Sequence, residues 1–586
     1  MTREWLLLGC VCLAAACATS DSNPEDASAR LSELGDEIWN RRLEKSPEIR
    51  LRLGLPVERL PELTYEEAED EARFYHSVLD RATTIEADDL SHSEVVTLET
   101  LRWESAMNIE GLQYFWLRSF LTPYASPLRT LGQVFPALPL QTEEDLTRYL
   151  DLLARTPRYI AQIHDLAQSQ LERGIVVPQQ NLPAAIGLVR ASMQEPEQGP
   201  FAVTDERLAG FDEAQIEAFR EAIAGRVTDE INPVLEGLAL FLEGPYTQQA
   251  PEGVGISQYP NGPDYYLYLV RLNATMDVTP EEVQQIGYAM LAEFRERMAE
   301  IRAEIGFEGT RDEFHALLRT DPRFFPETAN EVADRLRSAS DSMWTRISEY
   351  FVVTPEAPYG VRRLQAELEP AMTYGYYSPP KATEPTGYYN YNGSKLDERT
   401  WLGLAAISLH ELIPGHHFQI ARQQENETLP VFRKDTYYTA YVEGWGSYAS
   451  FLGLEADMFE DPYSRYGLYI LESFLATRLV VDPGMNYFGM SLDEARQFMR
   501  DNTLESETQI FTESLRYSTD IPGQALGYQM GQRGILELRR EAETALGDLF
   551  DIRLFHEAML ADGSVPMVVL EQHIDWFIES EQAKNR

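Results

Sequence analysis

The sequence predicts a mainly α-helical protein with two lobes and a small β-sheet ahead of its most unusual helix. Apolar residues recur at helical spacing over most of the chain, as at Leu31, Leu34 and Ile38. Residues 371–392 interrupt this pattern, because they are dense in Tyr, Thr, Gly and Pro and favour short strands around a turn at 378–384. With 586 residues, the chain is long enough for two lobes that face each other across a cleft.

The N-terminus is typical of an exported lipoprotein. Arg3 precedes an apolar run from Trp5 to Ala16, which is well short of the roughly 20 residues that a membrane span needs. The run ends in AAAC, which resembles a lipobox with Cys17 as the lipidated residue. LLGC at Cys10 also fits, but it would leave an unusually short apolar core. We therefore predict a signal peptide at 1–17 and a lipid on Cys17, which attaches the protein to a membrane.

The remaining chain is predicted to form a short tether and one domain. Residues 18–28 are rich in Ser, Asp and Ala, which is typical of a flexible tether, and 29–586 form a single two-lobed domain. All three cysteines lie within the first 17 residues, so the mature chain keeps only Cys17 and forms no internal disulfide. Ala18, rather than Asp, follows this cysteine, which favours the outer membrane, facing the periplasm.

The net charge of −45 argues against nucleic acid as a partner, because such a surface repels phosphate backbones. Solubility is the simplest explanation of this charge. The sequence gives no indication of oligomeric state.

The segment HELIPGHH, at 410–417, is the strongest candidate for a metal site. His410-Glu411 on an apolar helix is how a zinc peptidase motif of the H-E-x-x-H type begins. In that motif the second histidine lies one turn after the first, and the glutamate is the general base. Here Pro414 occupies the position of the second histidine, and proline followed by Gly415 must bend or bulge the helix.

Two histidines compete for the second ligand position. In an unbroken helix His416 would lie about 240° around the axis from His410, and His417 about 10 Å along it. Neither could then share an ion with His410, since Zn–N bonds are about 2.0–2.1 Å. A two-residue bulge would bring His416 into place, so we predict His410 and His416 as ligands and keep His417 as the alternative. Adjacent histidines can also be ordinary core or surface residues.

The third ligand is predicted to be Glu443, in the segment TAYVEGWGSYASFLGLE. A carboxylate among aromatic and small residues needs a partner when it is buried, and a metal ion provides one. Gly444 and Gly446 would allow a close approach to the first helix. The competing acids have more polar surroundings, and they are Glu425, Glu427, Asp435 and Glu455.

HELIPGHHFQ followed by YVEGWGSY resembles a large bacterial family, with many lipoproteins, that has been catalogued as a domain of unknown function. The resemblance extends over nearly the whole mature chain. That family is grouped with the gluzincin metallopeptidases, which include thimet-oligopeptidase-like and Taq-carboxypeptidase-like enzymes. Dipeptidyl-peptidase-III-like enzymes carry a similarly interrupted HExxGH motif, which supports His416 as the second ligand.

The resemblance implies zinc held by His410, His416 and Glu443, with Glu411 as the general base. It also implies a Tyr or His that stabilises the oxyanion, for which Tyr517 and Tyr528 are candidates and His556 is a further choice. Arg516 is available for a carboxylate or carbonyl of the substrate.

The expected enzyme is a zinc-dependent metallopeptidase acting on short peptides. Two alternatives stay open, namely a metal-dependent hydrolase of a non-peptide amide or ester, and a non-catalytic binding or scaffold lipoprotein. Glu411 favours catalysis, because a structural site has no use for a carboxylate beside its first ligand.

Overall fold

A computed structural model describes residues 24–584 except for 366–368, 370–373, 383 and 460. The predicted signal peptide, the lipidation site Cys17 and residues 18–23 of the predicted tether lie outside the described residues. The first helix begins at Pro24, so residues 24–28 of that tether are helical.

The described chain is mainly helical, which confirms the predicted class. Its α-helices are α1 (Pro24–Lys45), α2 (Pro47–Arg52), α3 (Tyr65–Ala82), α4 (His92–Gly111), α5 (Leu128–Val134), α6 (Glu143–Glu172), α7 (Leu182–Ser192), α8 (Asp205–Leu208), α9 (Glu213–Arg226), α10 (Asn232–Phe241), α11 (Gly262–Ala274), α12 (Pro280–Ile305), α13 (Arg311–Thr320), α14 (Ala329–Trp344), α15 (Leu404–Glu411), α16 (His416–Glu425), α17 (Thr439–Glu455), α18 (Pro462–Asn486), α19 (Leu492–Asn502), α20 (Glu507–Leu515), α21 (Gly527–Leu546), α22 (Ile552–Ala561) and α23 (Met567–Lys584). Among these described helices, none has both the length and the apolar character that a transmembrane span requires.

A small sheet precedes α15, as predicted, but one of its three strands lies ahead of the Tyr- and Gly-rich stretch 371–392. It consists of β1 (Tyr359–Arg363), β2 (Gly375–Ser378) and β3 (Gly387–Tyr391) in the order β1-β3-β2. Strand β3 is parallel to β1 and antiparallel to β2. Strand β3 is the central strand, so both of its edges already pair within the sheet and neither is available to a peptide.

The two largest clusters of buried apolar side chains lie in different regions of the chain. One cluster of buried side chains lies within residues 57–250, and another surrounds α15, α16 and α17. Helices α17 and α21 cross with their backbones in close contact at Gly444 and Gly531. A Cβ on Gly444 would lie 2.5 Å from Gly531, so neither position has room for a side chain. This crossing fixes α17, which carries the predicted third ligand.

Candidate metal centre

The helix that begins the HELIPGHH motif stops at Glu411 and a second helix starts at His416. Residues 412–415 leave the helical conformation, so the break is four residues long rather than the expected two-residue bulge. Gly415 folds back against the end of α15, where a Cβ would lie 1.8 Å from the carbonyl oxygen of His410. The Trp445 indole donates to the carbonyl of Pro414 at 2.8 Å, which ties the break to α17. The break re-aims α16 so that His416 returns towards His410.

Three buried side chains converge across the break. The Nε2 atoms of His410 and His416 lie 3.5 and 3.3 Å from Oε2 of Glu443. Within the described residues, these three form a group whose possible ligand atoms all lie within 4.8 Å of one another. His410 comes from α15, His416 from α16 and Glu443 from α17, so three elements fix the geometry. The group could therefore bind a metal ion.

Burial and the neighbouring charges shift the pKa values of the side chains in this group. Burial raises the pKa of Glu443, but the close approach and charge of His410 and His416 outweigh burial and hold the pKa well below its usual value. Burial, together with the neighbouring His416, lowers the pKa of His410 to about 4. Glu443 thus stays ionised and His410 stays neutral, as a cation requires of its ligands. Burial lowers the pKa of His416, but Glu443 outweighs burial and raises it, so a cation would displace a proton from His416.

Glu411 lies beside this group at the end of α15. Burial is the main cause that raises its pKa to about 7, and the charge of Glu443 adds to the rise while His416 opposes it. A general base works best with a pKa near the working pH. Glu411 directly follows the candidate ligand His410, and its raised pKa suits the role of a general base.

Gly446 leaves room for the His410 ring to pack against α17, because it has no side chain. A Cβ at this position would lie 2.7 Å from Cε1 and 2.8 Å from Nε2 of the His410 ring. The two glycines of the EGWG segment thus have different partners. Gly446 allows the approach to His410, as the sequence predicts, whereas Gly444 serves the crossing with α21.

Tyr437 completes the surroundings of Glu443 and was not found from the sequence. Its hydroxyl donates to Oε1 of Glu443 at 2.8 Å and leaves Oε2 to face the histidines. Although 55% of Tyr437 is exposed, its hydroxyl is enclosed, and burial raises the pKa of Tyr437 well above its usual value, so the hydroxyl keeps its proton. Its position six residues before Glu443 was the available signal, but 30 tyrosines in the chain make that signal weak.

The two predicted tyrosines have different surroundings. The ring of Tyr528 stacks on His410 with 6.0 Å between centroids, and its hydroxyl makes no hydrogen bond within the described part of the chain. Burial and the charge of Glu443 raise the pKa of Tyr528 to about 12, so it keeps its proton. Tyr517 is fully buried, and its hydroxyl is engaged by Arg478 and Glu513. Tyr528 is thus free to donate, whereas Tyr517 is not.

The other candidate residues lie outside the group. His417 contacts the Tyr377 hydroxyl and the carbonyl of Ala357, each at 3.0 Å. His556 is buried between the carbonyl of Tyr350 and the hydroxyl of Tyr448. Three of the competing acids hold other partners, with Glu425 on the backbone of Glu356 and Ala357, Asp435 on Arg52 and Glu455 on Arg539. Glu427 is exposed.

The donor set fits a zinc ion. Ligand atoms bound at 2.0–2.1 Å around a tetrahedral ion lie about 3.3 Å apart. The distances from Glu443 Oε2 to the two imidazole nitrogens, 3.3 and 3.5 Å, agree with that spacing. The same oxygen is buried and has no hydrogen-bond partner within the described residues. A cation between the three atoms would compensate this buried carboxylate oxygen.

Fold and site together define a mainly helical protein with a buried group of two histidines and one glutamate that could hold a metal ion. The chain belongs to the family described as bacterial protein of unknown function (DUF885), whose model matches residues 47–574. This agrees with the resemblance to a family of unknown function. No curated protein matches the chain.

Two solved structures share the fold. A protein of Colwellia psychrerythraea, described as a putative lipoprotein, is 23% identical, with a TM-score of 0.85, and the match covers 95% of this chain and all of that one. A protein of Shewanella oneidensis, described as a putative lipoprotein of unknown function, is 16% identical, with a TM-score of 0.68. That match covers 92% of this chain and 99% of the other. At these identities the likeness is one of fold.

Proposed function

We propose that the protein is a zinc-dependent peptidase of the gluzincin type, with the centre in a cleft between two helical lobes. The observation that carries the proposal is the convergence of His410, His416 and Glu443 with Glu411 directly beside them. Two imidazoles and one carboxylate form a donor set that favours zinc. Zinc in this position would act as a Lewis acid and supply an activated water at neutral pH.

The side chains around the centre have separate roles in the proposed reaction. Glu411 accepts a proton from the attacking water and returns it to the leaving amine. Tyr528 donates its hydroxyl proton as a hydrogen bond to the oxyanion, for which its high pKa and free hydroxyl are suited. Tyr437 holds Oε1 of Glu443, so the carboxylate presents one oxygen to the centre.

Replacing Glu411 by glutamine tests this proposal. Glutamine keeps the shape of the side chain but cannot accept the proton, so we expect turnover to fall by about 10²-fold or more. The three ligands remain, so both proteins should hold about one zinc per chain. Glu427→Gln is the control, because Glu427 is exposed and lies outside the group. Full peptidase activity in Glu411→Gln would refute the proposed general base.

We propose further that the protein is exported and anchored through a lipid on Cys17, at the outer membrane facing the periplasm. The lipobox-like AAAC sequence supports this, as do the descriptions of the two structural neighbours. Labelled fatty acid should enter the wild-type chain and not the Cys17→Ser variant, and wild type should sediment with outer membranes. Equal labelling of the two proteins would refute lipidation at Cys17.

A further inference from the structure

Two buried arginines next to the metal centre share a single carboxylate. Arg478 Nη2 lies 3.3 Å from Oε2 of Glu513, and Arg516 Nη1 lies 3.3 Å from Oε1 of the same residue. Tyr517 also contacts this carboxylate but brings no charge of its own. The three charged groups therefore sum to one net positive charge in an enclosed position.

Hydrogen-bonding capacity remains on both guanidinium groups. Arg478 is only 5% exposed, yet its Nη1 has no partner among the described residues, and neither has Nε of Arg516. A buried guanidinium with unused donors is costly unless an anion joins it. This arginine pair thus has both the charge and the free donors to accept another carboxylate.

Two further acids, Asp482 and Asp520, lie near Arg516. Asp482 accepts from the hydroxyl of Tyr266 and the backbone N–H of Gly523, and burial raises its pKa to about 7. Burial likewise raises the pKa of Asp520 to about 6. Because desolvation opposes ionisation of both acids, they compensate the arginine pair less than fully exposed carboxylates would.

The arginine pair adjoins the metal centre through Tyr528. The guanidinium carbon of Arg478 lies 4.7 Å from the centre of the Tyr528 ring, and that ring lies 6.0 Å from the ring of His410. Arg516 donates to the side chain of Gln524, which lines a cavity of about 290 Å³. With 13% of its side chain exposed, Arg516 is the arginine that a ligand reaches first.

We propose that Arg478 and Arg516 form the subsite for the C-terminal carboxylate of the peptide substrate. The protein would then remove residues from the carboxyl end of short peptides rather than cut within long chains. The distances from Arg478 to the Tyr528 ring and from that ring to His410 place Arg478 within about 11 Å of the His410 ring, a space that up to about three extended residues of about 3.4 Å each would span. This inference rests on the proposed peptidase function and adds its substrate class.

A binding experiment on the metal-free protein tests the subsite without activity. The probes are trialanine and trialanine amide, measured by titration calorimetry. Because hydrogen bonds to charged groups contribute about 1.5–3 kcal/mol, we expect the free acid to bind about 10- to 100-fold more tightly than the amide. In Arg516→Gln this preference should fall to less than about a third of its wild-type value, and Arg516→Lys should restore part of it.

Arg465→Gln is the control, because Arg465 also pairs with a glutamate, Glu304, but lies in the first turn of α18, the helix that carries Arg478 more than three turns further along. It should keep the wild-type preference. Arg478→Gln is less suitable, since loss of a fully buried ion pair endangers folding. Equal binding of acid and amide by wild type, or an unchanged preference in Arg516→Gln, would overturn the proposed subsite.

Hydrolysis of the same pair by the zinc-loaded protein separates this proposal from the function on which it rests. Release of a C-terminal residue or dipeptide from the free acid, with at least tenfold slower cleavage of the amide, supports both. Equal cleavage of the two peptides refutes the subsite and leaves the peptidase proposal standing. Selective binding of the acid without cleavage of either peptide refutes the peptidase proposal alone.

Discussion

Substitution of Gly446 by alanine should damage metal binding while leaving the fold in place. A Cβ at position 446 would lie 2.7–2.9 Å from three atoms of the His410 ring. Non-bonded carbon atoms prefer about 3.5–4.0 Å, so the ring must move by about 1 Å. The three candidate ligands come from three separate helices, so His416 and Glu443 cannot follow this movement.

The expected loss follows from the narrow tolerance of metal coordination. Bond lengths in a working site stay within about 0.2 Å of their ordinary values. Misplacing supporting groups alone costs about 10- to 100-fold in affinity, and displacement of a ligand itself should cost at least as much. Overpacking costs about 1–3 kcal/mol, but alanine recovers about 0.5–1 kcal/mol of helix propensity relative to glycine. Zinc affinity should therefore fall far more than stability.

Chelator competition for zinc, with circular dichroism and thermal unfolding of the metal-free proteins, measures both quantities. Gly237→Ala is the control, because Gly237 lies inside helix α10 and a Cβ there meets no atom within 4 Å. It should leave zinc affinity unchanged. If Gly446→Ala binds zinc as tightly as wild type, His410 is not a ligand in the orientation described here, and the proposed centre is wrong.

Two further substitutions test the surroundings of the centre and the enclosed acids of the core. Tyr437→Phe removes the hydrogen bond to Glu443, so zinc affinity should fall by about 10-fold with little change in stability. Chelator competition measures this affinity. An unchanged zinc affinity would contradict the role given to the Tyr437 hydroxyl. Glu472 is fully buried beside Gln529 and Gln532, and burial raises its pKa from 4.5 to about 7. The folded protein therefore binds the proton of the Glu472 carboxyl more tightly than the unfolded chain does. The stability that this protonated carboxyl contributes is present below about pH 4.5 and is lost as pH rises to about 7. Glu472→Gln removes this dependence, so at pH 8 the variant should be more stable by up to about 3 kcal/mol, whereas at pH 4 the two should be similar. Thermal unfolding at both pH values measures the difference, and an equal change in stability at pH 4 and pH 8 would refute the assignment.

The sequence predicts the histidine ligands because the residues between them determine locally whether a helix can continue. Pro414 and Gly415 must interrupt a helix, and the interruption favours His416 over His417. The length of the break could not be predicted, since it depends on Trp445, which holds the Pro414 carbonyl from a different helix. The mainly helical class and the small sheet also follow from local periodicity, whereas strand order, which decides that β3 is central, depends on pairing between distant segments.

Tyr437, Arg478 and Glu513 could not be found in this way. Arg478 sits in an ordinary apolar stretch of α18, and only the fold places it against Tyr528 and beside Glu513. Tyr517 and Tyr528 look equally suitable in the sequence. They differ because Arg478 donates a hydrogen bond to the hydroxyl of Tyr517, a long-range contact that no local pattern encodes.

The arrangement of the centre supports the proposed catalysis rather than a purely structural role for a bound metal ion. A structural zinc site is closed by four protein ligands, whereas a catalytic one has three and leaves the fourth position open. In the described part of the chain the centre offers three, His410, His416 and Glu443. Around them lie Glu411, the free hydroxyl of Tyr528 and the hydroxyl of Tyr437, so the centre is surrounded by polar groups. In the proposed reaction these groups would act on a bound substrate, whereas a purely structural ion would need none of them.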